Sequence, residues 1–89
     1  MADTHVALIE ARLRAALEPQ SVEIEDESHK HAGHAGAATG GGHYRVRLVS
    51  RRFAGLTRLA RHRLVYDALA DLMQHDIHAL ALTLAAPDE

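Results

Sequence analysis

The spacing of hydrophobic residues changes three times along this 89-residue chain, and the order of the changes restricts the folds open to it. Val6, Ile9, Leu13 and Leu17 recur at helical spacing behind Asp3 and Thr4, both suited to cap a helix, and Pro19 stops the run. Val22-Glu23-Ile24-Glu25-Asp26 then alternates apolar and polar, the pattern of a strand with one buried face. Near His43 a second strand begins, with Tyr44, Val46 and Leu48 facing one way and Arg45 and Arg47 the other. Leu59, His62, Val65, Tyr66, Leu69, Leu72 and Met73 predict a second long helix that ends near His75-Asp76, with Thr57 as a cap. A short helical turn around Leu56–Leu59 is expected ahead of it, giving a helix-turn-helix-like element. Ile77 to Leu84 returns to alternation, which places His78 with Leu80, Leu82 and Leu84 on one face and Ile77 with Ala79, Ala81 and Thr83 on the other.

A strand, a helix and a further strand in succession call for a right-handed crossover, so the third strand is expected to run parallel to the second. The first two strands are expected to be antiparallel neighbours. The fold class that follows is α/β in the order α-β-β-α-α-β, a three-stranded mixed sheet with helices packed on it around one core. At this length a single domain over residues 1–89 is expected. Aromatic residues make up only 3% of the chain, so the core must be largely aliphatic. The longest apolar-leaning stretch, Ala79 to Ala86, is far short of the ~20 residues of a spanning helix. The N-terminal region, with Asp3 and Glu10, does not read as a secretory leader, and a cytoplasmic protein is expected.

The two predicted strands are joined by a segment that is unusual for a hairpin. Residues 29–42 hold His29, His31 and His34 together with five of the six glycines, and read as a flexible loop. Most hairpin connections take roughly 2–5 residues, so one of about 14 points to function or disorder. Three imidazoles on such a strip suit iron or zinc, while the cysteine count of zero removes the thiolates that usually complete structural sites. A site here is therefore open, weak or completed by a partner. Charge is also uneven. Glu18, Glu23, Glu25, Asp26 and Glu27 crowd one stretch, and Arg45, Arg47, Arg51, Arg52, Arg58, Arg61 and Arg63 follow without an intervening acid. The net charge of −2 argues against tight nonspecific nucleic-acid binding.

Several separated segments resemble the BolA family, in the family's order and spacing. They are Asp26-Glu27-Ser28 with the histidine-bearing loop, His43-Tyr44-Arg45-Val46, Val49-Ser50, Phe53-Ala54-Gly55, Arg61-His62-Arg63-Leu64-Val65-Tyr66 and Ile77-His78-Ala79-Leu80-Ala81. The resemblance implies a fold similar to the class II KH domain. It implies a role in iron–sulfur cluster handling with a monothiol glutaredoxin, whose thiolate and bound glutathione complete a shared [2Fe–2S] cluster. The ligands it implies from this chain are His31 in the loop, with His34 as the alternative, and His78 at the start of the last strand. For some members it implies DNA-binding transcriptional regulation, for which Arg58, Arg61 and Arg63 at the start of the long helix are the candidates. The free chain is expected to be a monomer that holds no cluster by itself.

The residues alone weigh differently. On spacing, the loop histidines read first as polar filler, and His78 as a strand histidine at the edge of the core. His43 reads as structural. Gly33-His34-Ala35-Gly36 has the Gly-x-x-Gly spacing of KH nucleic-acid loops but falls between strands, so the match is taken as accidental. A hydrolytic zinc site on His29, His31 and His34 is the third reading. No nucleophile–base pair supports catalysis, and a binding protein is expected.

Overall fold

The computed structural model describes residues 4–27, 42–74 and 77–89. Helix α1 spans Thr4–Leu17, strand β1 Ser21–Asp26, strand β2 Gly42–Val49, helix α2 Arg58–Ala68, helix α3 Ala70–Met73 and strand β3 Ile77–Ala85, with a 3-10 turn at Arg51–Phe53. The strand order is β1-β2-β3, β1 antiparallel and β2 parallel to its neighbour, as the crossover rule required.

One face of the sheet is covered by the helices. Ile9, Leu13 and Leu17 of α1 pack with Val65 of α2, with Leu69 and Leu72, and with Tyr44, Val46 and Leu48 of β2, all nearly inaccessible to solvent. Val22, Ile24, Leu80, Leu82 and Leu84 flank them from the outer strands. Among the described residues no helix covers the opposite face, and Glu23, Glu25, Arg45, Arg47, Ala79, Ala81 and Thr83 are exposed on it. Acids of β1 stand opposite bases of β2 there, Glu23 against Arg47 and Glu25 against Arg45, which is the favourable cross-strand arrangement.

The joints explain how α1 and α2 are held on the sheet. Glu18 closes α1 in the left-handed region at φ 45°, with its N–H on the Arg14 carbonyl at 3.2 Å, and Pro19 follows where a helix cannot continue. The fully buried Ser50 hydroxyl donates to the Leu17 carbonyl at 2.6 Å and accepts the Arg52 N–H at 3.1 Å, so one side chain ends α1 and starts the 3-10 turn. Phe53 then enters the core, Gly55 turns the chain at φ 75°, and the Thr57 hydroxyl caps α2 by accepting the Ala60 N–H at 3.1 Å.

The structure corrects four readings of the pattern. The turn before α2 lies at Arg51–Phe53, not at 56–59, because Ser50 supplies the cap that starts it and Thr57 is extended as the next cap. The long helix is broken at Leu69, which leaves helical geometry at φ −108° and ψ 13° with its N–H shared by the Val65 and Tyr66 carbonyls; Leu69 and Leu72 are buried across the break. Leu59 and Tyr66 are 61% and 39% exposed, so the buried stripe of α2 is narrower than the spacing implied. Gly42, assigned to the loop, is the first residue of β2. The fit there is close: a Cβ on Gly42 would stand 2.4 Å from Cε2 of the buried Tyr44 ring. The remaining loop residues, 29–41, lie outside those described.

Candidate metal-ligating site

The start of β3 does not follow the simple alternation read from its sequence. Gly42 pairs with Ile77 but His43 pairs with Ala79, so His78 is the extra residue of a β-bulge between two parallel strands. The bulge reverses the phase of everything before it. Ile77 is 4% exposed and faces the core with Leu80, Leu82 and Leu84, whereas His78 is exposed beside Ala79. The expectation that His78 shares a face with the leucines is thus corrected by one inserted residue. A β-bulge re-aims a side chain at the end of a ladder, and here it turns an imidazole out of the core.

That imidazole meets a second one. The ring centroids of His43 and His78 are 5.0 Å apart with the planes inclined at 44°. His43 opens β2 and His78 opens β3, and because those strands are parallel neighbours their first residues fall side by side. His43 was read as structural; its meeting with His78 depends on two strand starts brought together at the bulge, which no residue pattern announces. The backbone around His43 is pinned: its carbonyl accepts the Glu27 N–H at 2.7 Å, and Glu27 accepts from Arg45 Nε at 3.2 Å.

His29, His31 and His34 lie outside the described residues. The described residues that border their segment, Glu27 and Gly42, both stand at the end of the sheet where His78 projects, the first through its bond to His43 and the second through its pairing with Ile77. Among the described residues no group of three or more His, Asp or Glu side chains forms a complete metal cage. The chain has no cysteine, so it carries no thiolate.

The three candidate arginines have different employments. Arg61 is a fold residue: its side chain is 12% exposed, it forms a bidentate pair with Glu89 at 2.5 Å on both arms, and its Nε donates to the Leu56 carbonyl at 3.1 Å. The pairing raises the Arg61 pKa, and the same guanidinium, aided by the Ala86 N–H, holds the Glu89 carboxyl at about 2. Arg58 and Arg63 are exposed. With Leu59, His62 and Tyr66 they line an open apolar groove along α2. No described helix is long and apolar enough to cross a membrane.

Comparison with known proteins agrees with this architecture. The family described as BolA-like protein matches residues 13–89. The DNA-binding transcriptional regulator BolA of Escherichia coli K12 is 46% identical over 74 residues, covering 83% of this chain and 68% of the relative. BolA-like protein 1 of Mus musculus is 44% identical over 81 residues, which are 91% of this chain and 57% of the mouse protein, so the chain spans little more than half of that relative. The BolA domain of SufE1 from Arabidopsis thaliana superposes with a TM-score of 0.85 at 34% identity, over 99% of this chain and 98% of that one. A profile match over most of the chain, these identities and the shared fold lead to one conclusion: the chain belongs to the BolA-like family.

Proposed function

We propose that this protein is an adaptor that pairs with a monothiol glutaredoxin and co-ligates a [2Fe–2S] cluster as cargo, with His78 as the ligand from its sheet. The observation that carries the reading is the bulge: an exposed imidazole is projected from the start of β3, at the end of the sheet where the histidine-rich segment joins β2. Imidazole nitrogen is a competent iron donor, as in centres where two histidines replace two thiolates. A chain with no thiolate fits the role of minority ligand, leaving the sulfur positions to the glutaredoxin and its glutathione. His31 is the loop donor this reading favours, with His34 as the alternative. In this reading the residues of the chain bind and orient the cargo.

Anaerobic mixing with a cluster-loaded monothiol glutaredoxin tests the proposal. The visible circular dichroism should change on adding this chain and should not change, or change differently, on adding His78→Ala. An unchanged spectrum with the native chain would overturn it.

A second reading, DNA-binding regulation, draws on the exposed Arg58 and Arg63 flanking Tyr66, and on the printed name of the E. coli relative. It predicts salt-sensitive duplex binding by the chain alone, weakened about uniformly across sequences by substituting both arginines. Arg61 serves this reading less well, since its guanidinium is already engaged within the fold.

A further inference from the structure

We propose that the outer edge of β3 is a strand-addition site that takes an extended acidic peptide segment of a partner protein. Among the described residues no strand lies beyond β3, which borders the sheet on one side. The ladder fixes which of its backbone groups face outward. The Ser50 N–H donates to the Ala85 carbonyl at 3.0 Å, so Ala85 turns toward β2. Successive residues of a strand direct their N–H and C=O groups to alternate sides. Ala81 and Thr83 therefore bond to β2 as Ala85 does, and Leu80, Leu82 and Leu84 present their N–H and C=O groups to the outer side. The long contact of Arg61 Nη1 with the Leu84 carbonyl, at 3.5 Å from the α2 side, agrees with that direction. Such a row of backbone groups is a template for a further strand.

The two borders of the sheet differ in protection. Charged side chains blunt an edge against pairing, and β1 carries Glu23, Glu25 and Asp26. Ile77–Ala85 holds no Asp, Glu, Lys, Arg or Pro. The bulge at His78 ends the open stretch on one side. On the other, Glu89 pairs with Arg61 and accepts the Ala86 N–H at 3.2 Å. The chemistry of the occupant follows from the cleft beside this edge. It encloses about 490 Å3, and in it Leu82 and Leu84 face Leu56, Arg58, Arg61 and His62. Arg61 is already matched by Glu89, which leaves the exposed Arg58, with His62 beside it, to meet an incoming carboxylate. Side chains alternate along an added strand, so acidic residues at every second position reach Arg58 while its backbone pairs with β3. A second copy of β3 is a poor occupant, because two such edges would set their basic rims against each other.

This inference does not rest on the glutaredoxin reading, and its experiment uses the full chain without cluster or glutaredoxin. The probe is a synthetic peptide with the sequence of residues 21–27, which alternates apolar and acidic side chains as the cleft requires. Titrated into the 15N-labelled chain, it should shift the amide signals of Leu80, Leu82 and Leu84. At saturation it should slow the hydrogen exchange of those amides at least about tenfold. N-methylation of alternate peptide amides along one edge should abolish binding, and the same change along the other edge should be tolerated. That contrast needs no substitution in the protein, and a purely electrostatic contact would not produce it. Arg58→Glu, at an exposed position, should weaken binding about fivefold. No shift at the three leucine amides, or equal tolerance of both N-methylated peptides, overturns the site. So does a single-stranded oligonucleotide that protects these amides where the peptide does not, since the cleft would then belong to nucleic acid.

Discussion

Ser50 shows how much a single side chain can hold. It is fully buried, and its hydroxyl joins the last carbonyl of α1 to the first turn after β2. Ser50→Ala should leave the Leu17 carbonyl and the Arg52 N–H without that partner and cost about 1–3 kcal/mol, read as a lower urea midpoint at unchanged slope. The Arg61–Glu89 pair gives a pH signature. Glu89 falls from an ordinary value of 4.5 to about 2 in the fold, mainly because Arg61 hydrogen-bonds it. A carboxyl depressed in the folded state contributes its stability above the unfolded value and loses it as pH falls toward the folded one. Thermal melts of the native chain and Glu89→Gln should therefore differ at pH 6 and converge between about pH 4.5 and 2; parallel curves would contradict the assignment. Asp71, lowered by its bond to Arg12, adds a slope of the same sign to both curves.

The elements were legible where a single period ruled them. Ile9, Leu13 and Leu17 marked α1, Tyr44, Val46 and Leu48 marked β2, and both occupy the core as their spacing implied. Two of the misreadings share one cause: a local irregularity that no residue type announces. Nothing at Leu69 resembles a helix breaker, yet the helix ends there. Nothing at His78 resembles a bulge signal, yet one extra residue shifts the phase and exposes the imidazole. Both are set by tertiary fit, since Leu69 with Leu72 and Ile77 with Leu80 must reach the same core. Gly42 is the opposite case, a glycine that read as loop filler and is required by a close approach to Tyr44. Gly42→Ala should displace that buried ring and cost about 1–3 kcal/mol, measurable by denaturation.

At the scale of the molecule, function is confined to what the two-layer fold leaves uncovered. One face of the sheet is consumed by the aliphatic core, and the other ends in two imidazoles beside the borders of the histidine-rich segment. The family and the sheet order could be read from sequence. The place of His43 could not, because it depends on two strand starts meeting across a bulge. If His78 donates nitrogen to a cluster otherwise held by sulfur, the reduction potential of the mixed complex should lie above that of the all-thiolate glutaredoxin form, as spectroelectrochemistry would record. The measurement that bears most directly on the proposed role is pulsed EPR of the reduced mixed complex, prepared with this chain alone labelled by 15N-histidine. Two strongly coupled 15N nuclei, one of them lost in His78→Ala, are the predicted result. The absence of any strongly coupled 15N in the native complex, or an unchanged set of couplings in His78→Ala, would contradict the account.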